Sequence, residues 1–169
     1  MSAQSQAKHV LVHSKPPILN KRYVVPQRRT KSRELKVNAK ITTKNDKKIN
    51  IKALIDSGCT HTCISNNLVK HERLPTQPIA QPFKALNADG TENKQGMVKE
   101  KVKLRMEIQG HREHLEAVVT NIDKTDMFLG HDWLAIHNPT INWKEGSIEF
   151  ENCPVTCNIM DFPDEQPRV

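Results

Sequence analysis

Leu35, Val37, Ala39 and Ile41 alternate with Lys36, Asn38 and Lys40, the period-two signature of a strand with one buried and one solvated face. A turn over Lys44 to Lys48 leads into a second apolar run, Ile49 to Ile55, which ends at Asp56. Ser65 is placed to cap a short helix running to about His71, with Pro75 ending it. Phe83 to Leu86 predicts a strand, Asn87 to Asn93 a polar hairpin tip with Asp89-Gly90 at its centre, and Gly96 to Lys101 the returning strand. Val102, Leu104, Met106 and Ile108 alternate with Lys103, Arg105 and Glu107; Gln109 and Gly110 turn the chain, and Leu115 to Val119 runs back. Met127 to Leu129 is a further apolar strand that stops at Gly130. A short helix follows from His131 to about Ile136, with Trp133, Leu134 and Ile136 as its buried side, halted before Pro139. Ile141 to Trp143 and Ser147 to Phe150 close the pattern as a hairpin about Lys144 to Gly146. The strands from Phe83 to Val119 are expected to be antiparallel with short loops, and the whole a small, mostly β domain of about eight short strands and two short helices.

Composition refines the boundaries. The chain has 169 residues, only 4% of them aromatic, so the core should be aliphatic. The net charge of +7 is unevenly spread: residues 1–52 carry 14 Lys or Arg against 2 acids, leaving 12 against 17 for the remainder. Residues 1–33 are basic and lack periodicity, and read as a flexible arm, with Tyr23 to Val25 as an optional edge strand. The domain is expected over 34–150, with 151–169, which holds Pro154, Pro163 and Pro167, as a C-terminal tail. Nucleic acid is an unlikely partner for the domain, which shows no matching motif, and a conceivable one for the basic arm, better read as solvated. No apolar run approaches the roughly 18 residues of a membrane span and no secretory leader is visible. The expectation is a soluble cytoplasmic protein without a membrane partner.

The cysteines form two C-x3-C pairs, Cys59 with Cys63 and Cys153 with Cys157. That spacing invites a zinc reading, with His61, His131 and His137 as conceivable further ligands. In a reducing compartment four unligated thiols are the plainer reading. No metal or cofactor is expected.

The stretch with chemistry is Leu54-Ile55-Asp56-Ser57-Gly58-Cys59-Thr60. It places one acid at the end of an apolar strand and turns the chain at once. Gly58 permits backbone angles or a close approach that a Cβ would forbid. Ser57 can donate and accept hydrogen bonds across the turn. An acid behind Leu54 and Ile55 is costly unless it is paired. Taken alone, Asp-Ser-Gly is common turn chemistry.

Three blocks in order raise it above that. Residues 54–60 resemble the apolar-apolar-Asp-Ser/Thr-Gly-Ala-Ser/Thr signature of the retropepsin family of aspartic proteases, with Cys59 in place of the commoner alanine. Asn87-Ala88-Asp89-Gly90-Thr91 with Gly96 is similar to the flap hairpin of gypsy-type LTR retrotransposon proteases. Phe128-Leu129-Gly130-His131-Asp132-Trp133-Leu134, with Asn138-Pro139 and Trp143, is similar to the segment that closes their domain. The resemblance implies a small closed β-barrel of the retropepsin (acid protease) type. It also implies an aspartic endopeptidase that processes a Gag-Pol polyprotein and is active only as a homodimer, since this chain holds a single Asp-Ser-Gly. In that reading Asp56 is catalytic, and Ser57, Gly58 and Thr60 shape the active-site turn. Asn87, Ala88, Asp89, Gly90 and Thr91 form a flap over a peptide substrate, and virus-like particles become a second expected location. Two other readings stay open: a barrel of this type that has lost catalysis and serves as a dimerising or peptide-binding module, and a basic nucleic-acid or zinc module built on the arm and the cysteines.

Overall fold

The expected alternation becomes a set of inward-facing side chains. The computed structural model describes residues 22–24, 34–86, 89–122 and 124–157. Its strands are β1 (Arg22–Val24), β2 (Lys36–Thr42), β3 (Lys48–Ile55), β4 (Cys63–Ser65), β5 (Gln77–Leu86), β6 (Glu92–Ile108), β7 (His111–Thr120), β8 (Met127–Leu129), β9 (Thr140–Asn142) and β10 (Ser147–Glu149). Two helices interrupt them, α1 (Asn66–Glu72) and α2 (His131–His137).

β2, β3, β8, β4, β7 and β6 pair in that order, and β6 pairs back onto β2 through Lys40↔Glu107, Ile41↔Met106 and Thr42↔Arg105. The result is a closed six-stranded barrel with two short helices, as the resemblance implied. Its interior is aliphatic: Val37, Ile41, Ile51, Ala53, Ile64, Val102, Leu104, Met106, Ile108, Met127 and Leu129 are all buried. Each large aliphatic side chain among them contributes about 1.5–3 kcal/mol of burial. Among the described residues, closure leaves β5 as the edge strand of this sheet, paired with β6 alone.

Four features depart from the sequence reading. β5 begins at Gln77, not Phe83, and carries Pro78 and Pro82; an edge strand tolerates proline because one row of its N–H groups needs no partner. β4 is three buried residues for which the sequence predicts no strand, the run being too short for its periodicity to register. The β5–β6–β7 strands are antiparallel as expected, but β3–β8 and β4–β7 run parallel, pairings on which the sequence pattern is silent. Finally, Ile136 is 59% exposed and so is not a core residue, whereas Trp133 is 2% exposed.

The helix ends follow local chemistry. Ser65 Oγ accepts from Leu68 N at 3.4 Å at the start of α1, while Arg73, in a left-handed conformation with φ 53°, ends that helix two residues before Pro75. Asn138, left-handed with φ 39°, ends α2 and donates its N–H to Leu134 O. β9, β10 and β1 make a separate three-stranded sheet, in which Arg22–Val24 pairs with Ser147–Glu149. The other residues of the basic arm up to 33, and residues 158–169, lie outside the described residues. Among the described residues no helix is long and apolar enough to cross a membrane.

Candidate active site

β3 and β8 lie side by side and parallel, with Ile55 opposite Leu129. Both strands therefore deliver their next residues, Asp56 and Gly130, to the same rim of the barrel. Asp56 N donates to Leu129 O at 3.0 Å, and Cys59 N donates to Asp56 O at 3.3 Å, closing a four-residue turn. Within it, Gly58 N donates to Asp56 Oδ1 at 2.9 Å. A Cβ on Gly58 would stand 3.2 Å from that same oxygen, so glycine lets the backbone amide reach the carboxylate. Asp56 is half-buried, while Ser57, Gly58 and Thr60 are exposed along the rim.

The turn is held from below by α2. His131 N donates to Cys59 O at 2.7 Å and Asp132 N to Thr60 O at 3.3 Å. The Asp132 carboxylate accepts from Thr62 N at 2.9 and 3.0 Å, from Thr62 Oγ1 at 2.8 Å and from Trp133 N at 2.7 Å. Gly130 N in turn donates to Thr62 Oγ1 at 3.2 Å. Thr62 is buried, so its polar atoms need these partners. Asp132→Asn keeps the shape but loses one acceptor and the negative charge. The expected cost is about 1–2 kcal/mol, read as a lower melting temperature.

Cys59 and Cys63 bracket this loop as a thiol pair, in which Cys63 donates to the Cys59 sulfur. That bond holds the Cys59 thiol below its ordinary value and, together with burial, pushes Cys63 well above it. Cys59 Sγ also contacts His61 O at 3.1 Å.

The candidate flap is the β5–β6 hairpin. Phe83 on β5 sets its ring 4.9 Å from that of His61, which couples the hairpin to the loop that follows Asp56. At the tip, Gly90 takes φ 82°. Thr91 Oγ1 and N donate to Asp89 Oδ1 at 2.7 and 3.0 Å and hold the Asp89 carboxyl below the usual carboxylate range. Asn87 and Ala88 lie outside the described residues.

The chain thus presents one carboxylate on a rigid turn, with a hairpin beside it. A groove of about 740 Å³ runs behind the active-site loop along β7 and α2, past His61, Glu113, Trp133 and His137, and Asp56 is not among its lining residues. At the far end of α2, His111, His137, Cys153 and Cys157 form a cluster of metal-ligating type. His61 and His131 are not part of it, nor are Cys59 and Cys63.

Sequence reasoning missed the Thr62–Asp132 clamp and the buried pair formed by Trp133 Nε1 and Glu113 Oε1, 2.6 Å apart. A signal for the second existed. Leu115, Ala117 and Val119 alternate, and extending that parity backwards points Glu113 and His111 inward; both are buried.

A model of the PEG10/RTL1 protease domain family matches residues 52–157, more than half of the chain. Among solved structures, the chain is similar to the retroviral protease-like domain of Ddi1 from Leishmania major, at 16% identity and a TM-score of 0.43, covering 68% of this chain and 90% of that one. It is also similar to the EIAV protease complexed with the inhibitor HBY-793, at 13% identity and a TM-score of 0.44, covering 64% and 91%. The simian foamy virus (mac) protease aligns at 21% identity and a TM-score of 0.35, covering 59% and 91%.

Proposed function

We propose, because the chain belongs to the PEG10/RTL1 protease domain family, that it is an aspartic endopeptidase active as a homodimer, with one Asp56 from each chain at the two-fold axis. The observation that carries this reading is the turn itself: a single Asp-Ser-Gly, its carboxylate fixed by Gly58 N and its backbone by Leu129 O, in a chain that supplies no second copy. A two-fold dimer supplies the second copy by symmetry.

The chemistry follows from the charges. Two carboxylates a few ångströms apart do not both ionise, so they share a proton, as in the familiar aspartic-protease dyad. The charged Asp56 takes a proton from a bound water as that water attacks the scissile carbonyl, while the protonated Asp56 donates a hydrogen bond to the carbonyl oxygen. The roles then reverse: a proton passes to the leaving nitrogen and the C–N bond breaks. Ser57 braces the two turns across the axis, Gly58 brings backbone groups to the substrate, Thr60 completes the turn, and Asn87 to Thr91 close over the peptide and exclude water. The peptide binds as an added strand with alternate side chains in pockets. The substrate in this reading is the polyprotein of a gypsy-type LTR retrotransposon, cut at its own junctions in the cytoplasm or within virus-like particles. The basic arm is the part suited to nucleic acid.

The test is the order of the reaction in enzyme. Below the dimer dissociation constant the active species scales with the square of concentration, so a tenfold dilution should lower the rate of peptide cleavage about a hundredfold. A transition-state-mimicking statine peptide should abolish the cleavage. A sedimenting dimer that binds peptides and cleaves none of a diverse library would replace this reading with that of a silent binding module.

A further inference from the structure

We propose that His111, His137, Cys153 and Cys157 form a zinc site that fastens the segment after β10 to the barrel. This goes beyond peptidase activity and does not depend on it. The four residues come from three places: His111 from the first position of β7, His137 from the last turn of α2, and the two cysteines from residues 153–157. Folding gathers one ligand atom from each to within 4.8 Å of all the others.

The short separations are those of a coordination shell. Cys153 Sγ lies 3.2 Å from His111 Nε2 and 3.5 Å from His137 Nδ1, and Cys157 Sγ lies 3.6 Å from His137 Nδ1. A tetrahedral zinc with ordinary Zn–S and Zn–N bonds places sulfur and nitrogen about 3.5 Å apart. The remaining separations are all within 4.8 Å, so drawing the four atoms onto one ion takes shifts of about 1 Å at most. Cys157 N donates to Pro154 O at 3.0 Å, a turn that brings the two cysteines of the pair round to the same histidine.

The surroundings are arranged as a second shell would be. The Glu113 carboxylate pairs with His137 Nε2, so His137 turns Nδ1 towards the sulfurs with a lone pair to give. The other Glu113 oxygen accepts from Trp133 Nε1 at 2.6 Å. His111, Glu113 and His137 are 3%, 4% and 4% exposed, and Phe150 stacks on the His111 ring at 4.0 Å and 7°. One divalent cation bound by two thiolates and two neutral imidazoles is neutral overall, so the ion can sit among these buried groups without a further counter-charge. Two soft sulfurs select zinc over magnesium or calcium, and four protein ligands leave no open position, which makes the site structural and not catalytic.

The inference departs from the expectation of four unligated thiols for Cys153 and Cys157 only. Cys59 and Cys63 stay outside the site. Two of its ligands, His111 and Glu113-supported His137, are distant in sequence from the cysteines, so C-x3-C spacing alone could not reveal it.

The experiment is metal analysis of the full chain purified under strong reductant, with cobalt(II) substitution of the same protein. The expected result is one zinc per chain, and for cobalt the ligand-field absorption of a tetrahedral site together with a thiolate-to-metal charge-transfer band. Cys153→Ser with Cys157→Ser should remove metal binding, Cys59→Ser should keep it, and Glu113→Gln should weaken it about 10–100-fold in competition with a chromophoric chelator. Failure of the reduced wild-type chain to bind zinc or cobalt overturns the proposal, with no variant needed. So does unchanged binding in the double cysteine variant, or a cobalt spectrum without the thiolate band.

Discussion

In the proposed homodimer, Asp56→Asn is expected to lower peptide hydrolysis on the order of 10⁴-fold while leaving the fold intact. The asparagine is nearly isosteric, and its Oδ1 can still accept from Gly58 N, which lies 2.9 Å from the Asp56 oxygen. The turn should therefore persist, since its other bonds, Asp56 N to Leu129 O and Cys59 N to Asp56 O, are made by the backbone. What disappears is the capacity to carry a negative charge and to take up and release a proton, which both halves of the cycle use. The comparison is kcat/KM of wild type and variant at equal dimer concentration, with circular dichroism and sedimentation as controls. Mixing wild type with excess variant should also silence the wild-type chains, because every mixed dimer holds one amide. Full activity in a well-folded Asp56→Asn dimer would remove the carboxylate from the mechanism.

Gly130→Ala is expected to cost about 3 kcal/mol and to lower the melting temperature by roughly 10 °C. The reason is collision and not backbone strain. Gly130 has φ −84° and ψ −173°, angles open to any residue. An added Cβ would sit 2.6 Å from Cys59 O and 2.7 Å from both the carbonyl carbon and oxygen of His61. Those atoms are backbone, held by His131 N on Cys59 O, and have no side-chain freedom with which to retreat. The active-site loop would have to lift off α2, so peptide cleavage should fall along with stability. Gly90→Ala is the contrast: nothing lies within 4 Å of its added Cβ, although φ 82° makes the substitution strained. Thermal unfolding of the two variants separates the cases, and a Gly130→Ala protein as stable as wild type would mean that the loop is not packed as described.

Where a strand carries a long run of alternation, the sequence announced it. β2 buries Val37, Ala39 and Ile41 and reads correctly from those positions. The buried second half of β6 is equally clear. β5 was shortened because its prolines and its largely exposed pattern mimic loop, which only pairing at an edge makes tolerable. Residue type favours burying Trp143, yet at 60% exposure it is not core; whether a second chain covers it is decided by assembly and not by local pattern. Around the candidate site, Asp56, Ser57 and Gly58 could be named because they are contiguous. Thr62, Gly130 and Asp132 act on that turn from 68 to 70 residues apart, a separation at which no local pattern points from one to the other.

By itself the sequence determined which residues are apolar at which spacing, and hence the longer strands, the two helices and the turn that carries Asp56. These are local matters, governed by side-chain periodicity, capping and turn chemistry. Tertiary structure alone decided that β3 and β8 run parallel and deliver Asp56 and Gly130 to one rim, and that β6 closes onto β2. It alone gathered His111, His137, Cys153 and Cys157. Those outcomes depend on hydrogen bonds and burial between segments far apart in the chain, where each partner's position is set by the packing of all the others.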